Sequence, residues 1–457
     1  MKAQADTIAA ISTAAGLGAI GLVRLSGSRA VAIVDSLFEG KTLAKQASHT
    51  AHFGNFYSSP VADEGRQLLD EVVVTLFLTG KSFTGEETVE ISAHGSPYIL
   101  HQILQACVAA GARSALPGEF TQRAFLNGKM DLAQAEAVGD LIAAENKASH
   151  HIALNQMKGS VSTELAHLRD KLINFTALIE LELDFGEEDV EFADRTALSH
   201  LVQELKSAIQ KLIQSFEYGN ALKNGVPVAI IGLPNAGKST LLNALLQEER
   251  AIVSDIAGTT RDAIEETINI EGISFRFIDT AGIRQTDDVI EAIGVERAKQ
   301  KVRQALVVIH LYDQPDTLLE DLQEDLSNKI VFSLRSKADG ATEAAPRLSV
   351  EERFHHFSIS VKTGFQLELL KQALVLHFKH QQHQNAVVIT NVRHKQALEL
   401  AAEALEMVDR EMAKQASGDL LSLYLKDALY HIGSITGKID VDRDILGTIF
   451  GKFCIGK

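Results

Sequence analysis

Short apolar runs with strand character open the chain. They are separated by glycine-containing turns, and one helix-like stretch lies near Ile99–Ala110. Apolar runs bounded by turn residues are typical of strands, so residues 1–127 are predicted to form a small α+β domain. The runs are Ile20–Leu25, Glu71–Leu78 and Thr88–Ser92.

Residues 128–222 follow a helical period instead. No proline occurs between Pro117 and Pro227, which suits long helices because proline interrupts helical hydrogen bonding. Apolar residues recur at steps of three and four, as expected for one buried helix face. These residues are Leu165, Leu168, Leu172, Phe175 and Ile179.

Apolar strands alternate with helical stretches from residue 223 to about residue 380. This alternation predicts a mostly parallel sheet wrapped by helices. The helical pattern returns at residue 381 and continues through Lys395–Leu425 to residue 457. The α/β unit is therefore predicted to be inserted into a helical domain. Its predicted strands are Val226–Ile231, Phe275–Ile278, Ala305–His310, Ile330–Leu334 and Phe357–Ser360.

The composition limits the kinds of protein that this chain can be. Its 457 residues, 46% of them hydrophobic, are enough for roughly two to four domains. The 44 basic and 60 acidic residues give a formal charge of −16. This charge argues against a protein that coats nucleic acid through many lysine and arginine contacts, but it is compatible with one local basic surface.

Cysteine content and the first segment bear on location. Only Cys107 and Cys454 occur, which argues against a disulfide framework and favours a reducing compartment. Thr7–Val23 has no charged residue but consists largely of alanine, glycine, serine and threonine. A spanning helix needs about 20 strongly apolar residues, so this segment is interpreted as strand–turn–strand. The protein is expected to be cytoplasmic, with no membrane association.

A phosphate-binding motif follows the first strand of the α/β unit. Gly232–Ser239 has the pattern GxxxxGK[ST] and precedes a helical stretch, Thr240–Leu246. Its glycines let backbone amides surround phosphate oxygens, and the helix N-terminus adds positive partial charge. Lys238 is expected to reach the β- and γ-phosphates, and the Ser239 hydroxyl is expected to bind Mg²⁺.

Further motifs come in the order expected of a GTPase. Asp279–Gly282 closes the next predicted strand with a Walker-B-type aspartate, and Gly258–Asp262 contains Thr260, whose hydroxyl can also bind Mg²⁺. Ser336–Asp339 and Ser360–Lys362 each follow a later strand. A carboxylate at Asp339 can accept hydrogen bonds from N1–H and the 2-amino group of guanine, donors that adenine lacks. The nucleotide is therefore predicted to be GTP.

Two positions depart from the usual GTPase pattern. The guanine-reading motif is usually Asn-Lys-x-Asp, and the hydroxyl of Ser336 is shorter than an amide, so guanine specificity is expected to persist with weaker nucleotide binding. Ile283 stands where Ras-like proteins have a water-orienting glutamine, and it cannot orient water. The side-chain carbonyl of Asn235 can help to bind a monovalent cation in the place of an arginine finger.

Long motifs on both sides of the α/β unit point to one family. They are Leu116–Lys129 continuing into Asp131–Ala137, Ser82–Glu86 followed by His94 and Gly95, and the terminal Phe453–Lys457. With the nucleotide motifs, they resemble the bacterial tRNA-modification GTPases of the MnmE (TrmE) family from the first strand to the last residue. The resemblance implies a multidomain α/β and α fold. Its parts would be a folate-binding and dimerisation α+β domain (1–127), an inserted Ras-like P-loop GTPase domain (223–380) and a helical domain in two parts (128–222 and 381–457).

The resemblance also implies which residues bind ligands. A tetrahydrofolate derivative, in the 5-formyl or 5,10-methylene form, would be bound by Arg24, Glu90, Lys129 and Lys457. K⁺ would be held by Asn235 and by backbone groups of Ser254, Ile256 and Thr259. Asn235, Lys238 and Glu291 would act in catalysis, with Glu291 helping to orient the attacking water. The residues expected to contact GTP are Asn235, Ala236, Gly237, Lys238, Ser239, Thr240, Ser254, Asp255, Ile256, Ala257, Gly258, Thr259, Thr260, Asp279, Thr280, Ala281, Gly282, Ser336, Lys337, Ala338, Asp339, Ser360, Val361 and Lys362.

The family's activity gives the expected function. Members form homodimers and act with a flavin-dependent partner of the MnmG (GidA) type on tRNA. They add a carboxymethylaminomethyl or aminomethyl group to C5 of wobble uridine 34, with a carbon from methylenetetrahydrofolate. GTP hydrolysis would drive a conformational cycle rather than the carbon chemistry itself.

The two cysteines are expected to differ in role, and two other functions compete with tRNA modification. Cys107 lies on an apolar helical face and is predicted to be core, whereas Cys454 is a nucleophile near the folate, a redox thiol or a packed cysteine. One alternative function is an RNA-binding or ribosome-assembly regulatory GTPase without modification chemistry. The other is a folate-binding scaffold with a degenerate GTPase domain, suggested by Ser336.

Overall fold

A computed structural model describes residues 6–58, 65–184, 195–249, 266–278, 291–340, 344–349, 351–384, 387–438 and 456. The chain divides into two compact units. The first comprises Met1–Gly139, Gln156–Arg169 and Tyr430–Lys457, and the second comprises Asp140–Asn155 and Asp170–Leu429. The mixture of β-rich, helical and α/β parts confirms the predicted multidomain α/β and α fold.

A seven-stranded sheet organises the first unit. Its strands lie in the order β3-β4-β5-β6-β2-β1-β7, and neighbours are antiparallel except for the parallel pair β1 and β7. The strands are β1 Ile8–Ile11, β2 Ile20–Ser26, β3 Phe38–Glu39, β4 Thr50–Tyr57, β5 Leu68–Phe77, β6 Thr88–His94 and β7 Arg113–Ser114. The helices of this region are α1 Ala30–Leu37, α2 Pro97–Ala109 and α3 Glu119–Leu126.

Apolar residues at every second position of the strands form the core on one face of this sheet. Val23 and Leu25 on β2 and Val72, Val74 and Leu76 on β5 are buried with apolar residues of α1 and α2. Successive strand residues point to opposite faces, so the residues between them form the other face of the sheet. The predicted strands are confirmed, as is the strand–turn–strand interpretation of the first segment, because β1 pairs antiparallel with β2.

Cys107 lies in this core, as predicted. Its side chain is fully buried on α2, and burial raises the pKa of its thiol to about 12. A thiol in such surroundings stays protonated and unreactive.

Long helices follow, as the apolar period predicted. They are α4 Leu132–Ile142, α5 Lys147–Met157, α6 Ser160–Asp184 and α7 Arg195–Asn224. On α6 the predicted stripe is buried at Leu165, Leu168, Leu172 and Ile179. Phe175 is only half-buried, and its neighbour Thr176 is buried with its hydroxyl donating to the Leu172 carbonyl. A threonine can therefore occupy the inward face because its own helix satisfies its hydroxyl.

The sheet of the second unit has the order β13-β12-β11-β8-β10-β9. All neighbours are parallel except β10 and β9, so the mostly parallel sheet is confirmed. Strand β9 was not predicted, although its alternating polar and apolar residues carried the signal. The strands are β8 Val226–Ile231, β9 Glu266–Ile270, β10 Ile273–Phe277, β11 Val307–Tyr312, β12 Ile330–Arg335 and β13 Phe354–Ser358.

Helices cover both faces of this sheet. Val228 and Ile230 enter one core and Ala229 and Ile231 enter the other, which explains why β8 is almost wholly apolar. The helices described along this part of the chain, with residues 250–265 and 279–290 outside the description, are α8 Lys238–Glu249, α9 Glu291–Gln304, α10 Leu318–Asp321, α11 Gln323–Leu326 and α12 Leu367–Gln384.

Within the described residues, the predicted C-terminal helical region contains α13 Val392–Ala413 and α14 Gly418–Thr436. The break between them includes Gln415 at φ 55°, a left-handed conformation that ends a helix. Among the helices of the described residues, none combines the length and apolarity that crossing a membrane requires.

A buried histidine pair connects β13 to α12. The Nε2 atoms of His355 and His377 are 2.7 Å apart, and His355 stacks on Phe332. Burial, with repulsion from His355 and Arg353, lowers the pKa of His377 to about 4, and burial also lowers the pKa of His355. Both imidazoles are therefore neutral in the fold at neutral pH.

We expect this pair to make the second unit sensitive to mild acid. An unfolded histidine has a pKa of about 6.5, so the unfolded chain binds more protons between about pH 6.5 and pH 4. The free energy of unfolding should be highest above about pH 7 and fall through that interval, with His377 alone contributing about 3 kcal/mol. Urea unfolding across this pH series measures the slope.

Two glutamine variants separate this pair from the other titrating groups. The double variant His355→Gln/His377→Gln should flatten the slope between pH 6.5 and pH 4, because an amide can hydrogen-bond without titrating. The control His356→Gln, on the same strand but exposed, should keep the wild-type slope. An unchanged slope in the double variant would show that other groups cause the acid sensitivity.

Candidate nucleotide and folate sites

The phosphate-loop motif is a turn between β8 and α8. Gly232, Asn235 and Gly237 have φ values of 146°, 63° and 97°. A Cβ at Gly232 would lie 2.2 Å from the Leu311 carbonyl oxygen, so only glycine fits there. Asparagine is among the few other residues that tolerate the left-handed conformation. The backbone thus forms the concave loop that a phosphate group needs.

Lys238 lies across this loop. Its Nζ donates to the carbonyl oxygens of Gly232 and Leu233, both at 2.8 Å. Ser239 and Thr240 are exposed in the first turn of α8, and a Cβ added at Gly237 would meet open space. Amide donors, a lysine and a helix N-terminus therefore converge on one concave surface, which fits a phosphate chain.

The guanine-reading segment follows β12. The Oδ1 of Asp339 accepts a 2.7 Å hydrogen bond from the Ser360 hydroxyl, and Lys362 Nζ lies 4.0 Å from Oδ2. The Ser360 hydroxyl also accepts from the backbone N–H of Thr363 at 3.2 Å. Ser360 thus fixes the orientation of the Asp339 carboxylate, and it is positioned by the loop that follows β13.

Neighbouring residues hold the rest of this segment. Lys337, at φ 57°, pairs through Nζ with Asp313 at 2.7 Å, and the Ala338 N–H donates to the Ile359 carbonyl. The hydrogen bond from Lys337 holds the pKa of Asp313 below its ordinary value. The sequence interpretation missed Asp313, although its place directly after β11 was the available signal.

Ser336 Oγ is buried, and no group among the described residues hydrogen-bonds to it. A buried hydroxyl without a partner costs about 1–3 kcal/mol, and it adds nothing to the support of the base-reading loop. The expected weaker nucleotide binding stays a prediction.

The phosphate loop and the base-reading segment lie at the same edge of the second unit's sheet. Both follow the carboxyl ends of parallel strands, where open α/β sheets bind their ligands. Neighbouring strands lie about 4.8 Å apart, so β12 and β13 are about 10 and 14 Å from β8. A nucleotide with its phosphates at β8 can therefore reach Asp339 with its base.

Several predicted residues lie outside the described part of the chain. Glu291 begins α9, but its side chain is not among the described groups. The others of the nucleotide and cation sites are Ser254, Asp255, Ile256, Ala257, Gly258, Thr259, Thr260, Asp279, Thr280, Ala281 and Gly282. Cys454 and Lys457 also lie outside it.

Two predicted folate residues face each other in the first unit. Arg24 on β2 and Glu90 on β6 are register partners, and their charged groups approach to 2.7 Å. The Arg24 guanidinium also lies 5.8 Å from the centre of the Phe120 ring on α3. This half-buried pair offers a cation and a carboxylate side by side, as a ligand with an acidic tail and an amino-substituted ring requires.

Lys129 and the chain end are positioned separately. Lys129 Nζ donates to the Gly80 carbonyl at 3.1 Å. Ser12 Oγ donates to the Gly456 carbonyl at 2.9 Å, so the C-terminal end reaches the segment after β1. Strand β1 is the neighbour of β2, which carries Arg24.

Comparison with known proteins covers nearly the whole chain. Residues 7–129 match the family model described as GTP-binding protein TrmE N-terminus, and residues 132–454 match the model of the MnmE helical domain. A protein named tRNA modification GTPase MnmE from Cytophaga hutchinsonii is 51% identical over 99% of this chain and 98% of that protein. Proteins of the same name from Christiangramia forsetii and Bacteroides fragilis are 47% and 48% identical, each over 99% of both chains.

Proposed function

Since this chain belongs to the MnmE family of tRNA modification GTPases, we propose that it hydrolyses GTP as part of tRNA modification in the cytoplasm. It works as a homodimer with a flavin-dependent partner of the MnmG type. The product is a 5-carboxymethylaminomethyl or aminomethyl group on wobble uridine 34, built with a folate-derived carbon. The GTPase domain comprises residues 223–380, inserted between the two parts of the helical domain (128–222 and 381–457).

The observation that carries this proposal is the shared sheet edge of Lys238 and Asp339. Lys238 exchanges its carbonyl partners for β- and γ-phosphate oxygens, and Asp339, oriented by Ser360, reads guanine. The hydroxyls of Ser239 and Thr260 ligate Mg²⁺, which neutralises phosphate charge.

K⁺ takes the place of an arginine finger, and Glu291 takes the place of the missing water-orienting glutamine. Asn235 is exposed in the phosphate loop, and its side-chain carbonyl is a hard oxygen donor. With backbone groups of Ser254, Ile256 and Thr259 it holds K⁺ where an arginine finger would stabilise charge. Glu291 then orients the attacking water in the dimer of GTPase domains.

The folate carrier occupies the first unit. Arg24 and Lys129 pair with its glutamate tail, and Glu90 accepts hydrogen bonds from the pterin ring. Lys457, bonded directly to Gly456, completes the site from the chain end. The Ser12–Gly456 hydrogen bond supports this assignment, because it places Gly456 beside the segment after β1, the neighbour of the strand that carries Arg24.

GTP hydrolysis in K⁺ against Na⁺, at equal ionic strength, tests the proposal. We expect stimulation by K⁺ of at least tenfold, the scale expected when one transition-state contact is supplied. Asn235→Gly should abolish the stimulation. This variant removes the side-chain carbonyl without adding backbone strain, because glycine adopts φ 63° freely.

Activity on tRNA then separates the proposal from its alternative. With the flavin-dependent partner and methylenetetrahydrofolate, modified uridine should form on tRNA. Equal hydrolysis rates in both salts, together with no modified uridine, would favour an RNA-linked regulatory GTPase.

A further inference from the structure

A buried arginine sits at the centre of a charged cluster in the first unit. The Arg123 side chain on α3 is only 4% exposed. Its Nη2 contacts Asp6 Oδ1 at 2.8 Å and Glu119 Oε1 at 3.1 Å, and its Nη1 contacts Glu86 Oε2 at 3.2 Å. Nη1 also donates to the Asp6 carbonyl at 2.9 Å.

A second arginine shares two of these partners. Arg113 binds Asp6 at 2.7 Å and Glu119 at 2.6 Å. Burial works to raise the pKa of Asp6 and of Glu119, but hydrogen bonds from both arginines outweigh it, and both values fall below normal. The Asp6 and Glu119 carboxylates are therefore ionised and compensate the charge of the two arginines.

Glu86 connects this cluster to the loop of residues 80–87, here named the 80–87 loop. Its Oε2 accepts from the Ser26 hydroxyl at 2.7 Å, and Ser26 also bonds to Thr84 at 2.8 Å. On the other side, Asn127 donates to the Thr84 carbonyl at 2.8 Å and Lys129 donates to the Gly80 carbonyl. The loop is thus tied to the end of β2 and to the residues that follow α3.

The hydrogen bonds and contacts of this cluster also reach the neighbours of Arg24, a proposed folate residue. Ser26 is two residues from Arg24 on β2, so both side chains lie on one face of the sheet. Phe120, whose ring lies beneath Arg24, is three residues before Arg123 on α3. One short helix therefore supports Arg24 through Phe120 and the 80–87 loop through Arg123.

We infer that Arg123 is a positioning residue: through Glu86 it holds the 80–87 loop between Arg24 and Lys129, in the geometry that binds a reduced folate. This inference rests on the proposed folate site. Arg123 itself, buried among carboxylates, does not touch the ligand. Its effect is on affinity, because a loop that must be ordered on binding lowers affinity by the free energy of ordering.

Glu86→Gln tests the inference, with Arg113→Gln as its matched control. Glu86→Gln keeps the shape and weakens the link between cluster and loop. Arg113→Gln weakens the same cluster at Asp6 and Glu119, but within the described residues Arg113 has no bond to the loop. Ser26→Ala, which removes the second bond of Glu86, is a further loop variant.

Two measurements are made on the purified full-length protein. Amide hydrogen exchange of residues 80–87 without ligand reports loop order, and calorimetric titration with 5-formyltetrahydrofolate reports affinity. Glu86→Gln and Ser26→Ala should each speed loop exchange and weaken folate binding roughly tenfold, the loss expected for one charge-assisted hydrogen bond. Arg113→Gln should lower the midpoint of thermal unfolding but leave loop exchange and affinity within about twofold.

Three results would overturn the inference. Loop exchange unchanged in Glu86→Gln would show that the cluster does not order the loop. Equal loss of affinity in Glu86→Gln and Arg113→Gln would reduce Arg123 to a purely structural role. The third result is faster loop exchange in Glu86→Gln while the wild-type protein binds no folate. It would refute the folate site itself, and with it the ligand assigned to the loop.

Discussion

Lys238→Met is expected to lower GTP turnover about a thousandfold, the upper range for loss of one transition-state donor. The Lys238 ammonium donates to the backbone carbonyls of Gly232 and Leu233 in the turn before α8, so its removal should cost the fold little. With GTP bound, its charge faces oxygens whose negative charge rearranges during transfer. The loss should therefore appear mainly in kcat, measured by phosphate release at saturating GTP.

Lys329→Met is the matched control for this experiment. Lys329 also donates to a backbone carbonyl, that of Arg303, but it lies just before β12, at the opposite edge of the sheet. Its removal should leave turnover within about twofold, because this half-buried lysine lies away from the phosphate loop and cannot contact the phosphates. Similar losses in the two variants would mean that the phosphate loop is not the catalytic centre.

Asp339→Asn is expected to convert a guanine site into a xanthine site. The carboxylate accepts from two guanine N–H groups, and an asparagine presents one donor to the 2-amino group. The asparagine oxygen can still accept from N1–H, so one charge-assisted hydrogen bond is lost, at about 1.5–3 kcal/mol, and the other is weakened, which lowers GTP affinity by roughly 10² to 10³-fold. Xanthine has a 2-oxo group in place of the amine, so XTP should bind the variant better than GTP does.

Displacement of a fluorescent nucleotide by GTP and XTP measures this reversal. Asp313→Asn is the control, since Asp313 lies at the same edge but pairs with Lys337 rather than with the base. It should retain the preference for GTP over XTP. If Asp339→Asn also kept that preference, the base would have to be read by another residue.

Local pattern predicted most of the elements in this protein. The six residues of β8 were found at their observed limits, because a strand buried on both faces is almost continuously apolar. The helical stripe of α6 and the β1–β2 hairpin were found for related reasons, since period and turn residues are local properties. The alternation of strand β9 was present but spans only five residues, and it was missed because a charged segment directly precedes it.

The candidate sites were predictable where a motif is contiguous. The phosphate loop requires glycines at fixed offsets before a helix, so Gly232–Ser239 can be recognised from the sequence alone. Ser336 was also legible as a departure, and the structure adds that its hydroxyl is buried without a partner among the described residues.

What the sequence determined by itself is therefore the order of elements, the nucleotide motifs and the family resemblance. Only the tertiary structure decided which distant residues support them. Ser360 orients Asp339 from 21 residues away in the sequence, and Asp313 holds Lys337 from 24 residues away. Arg123 binds Glu86 and Asp6, which precede it by 37 and 117 residues. The physical reason is that periodicity and turn chemistry act between near neighbours in the chain. Ion pairs and buried hydrogen bonds depend instead on which strands and helices come together in space, and strand order is not a local property of any segment.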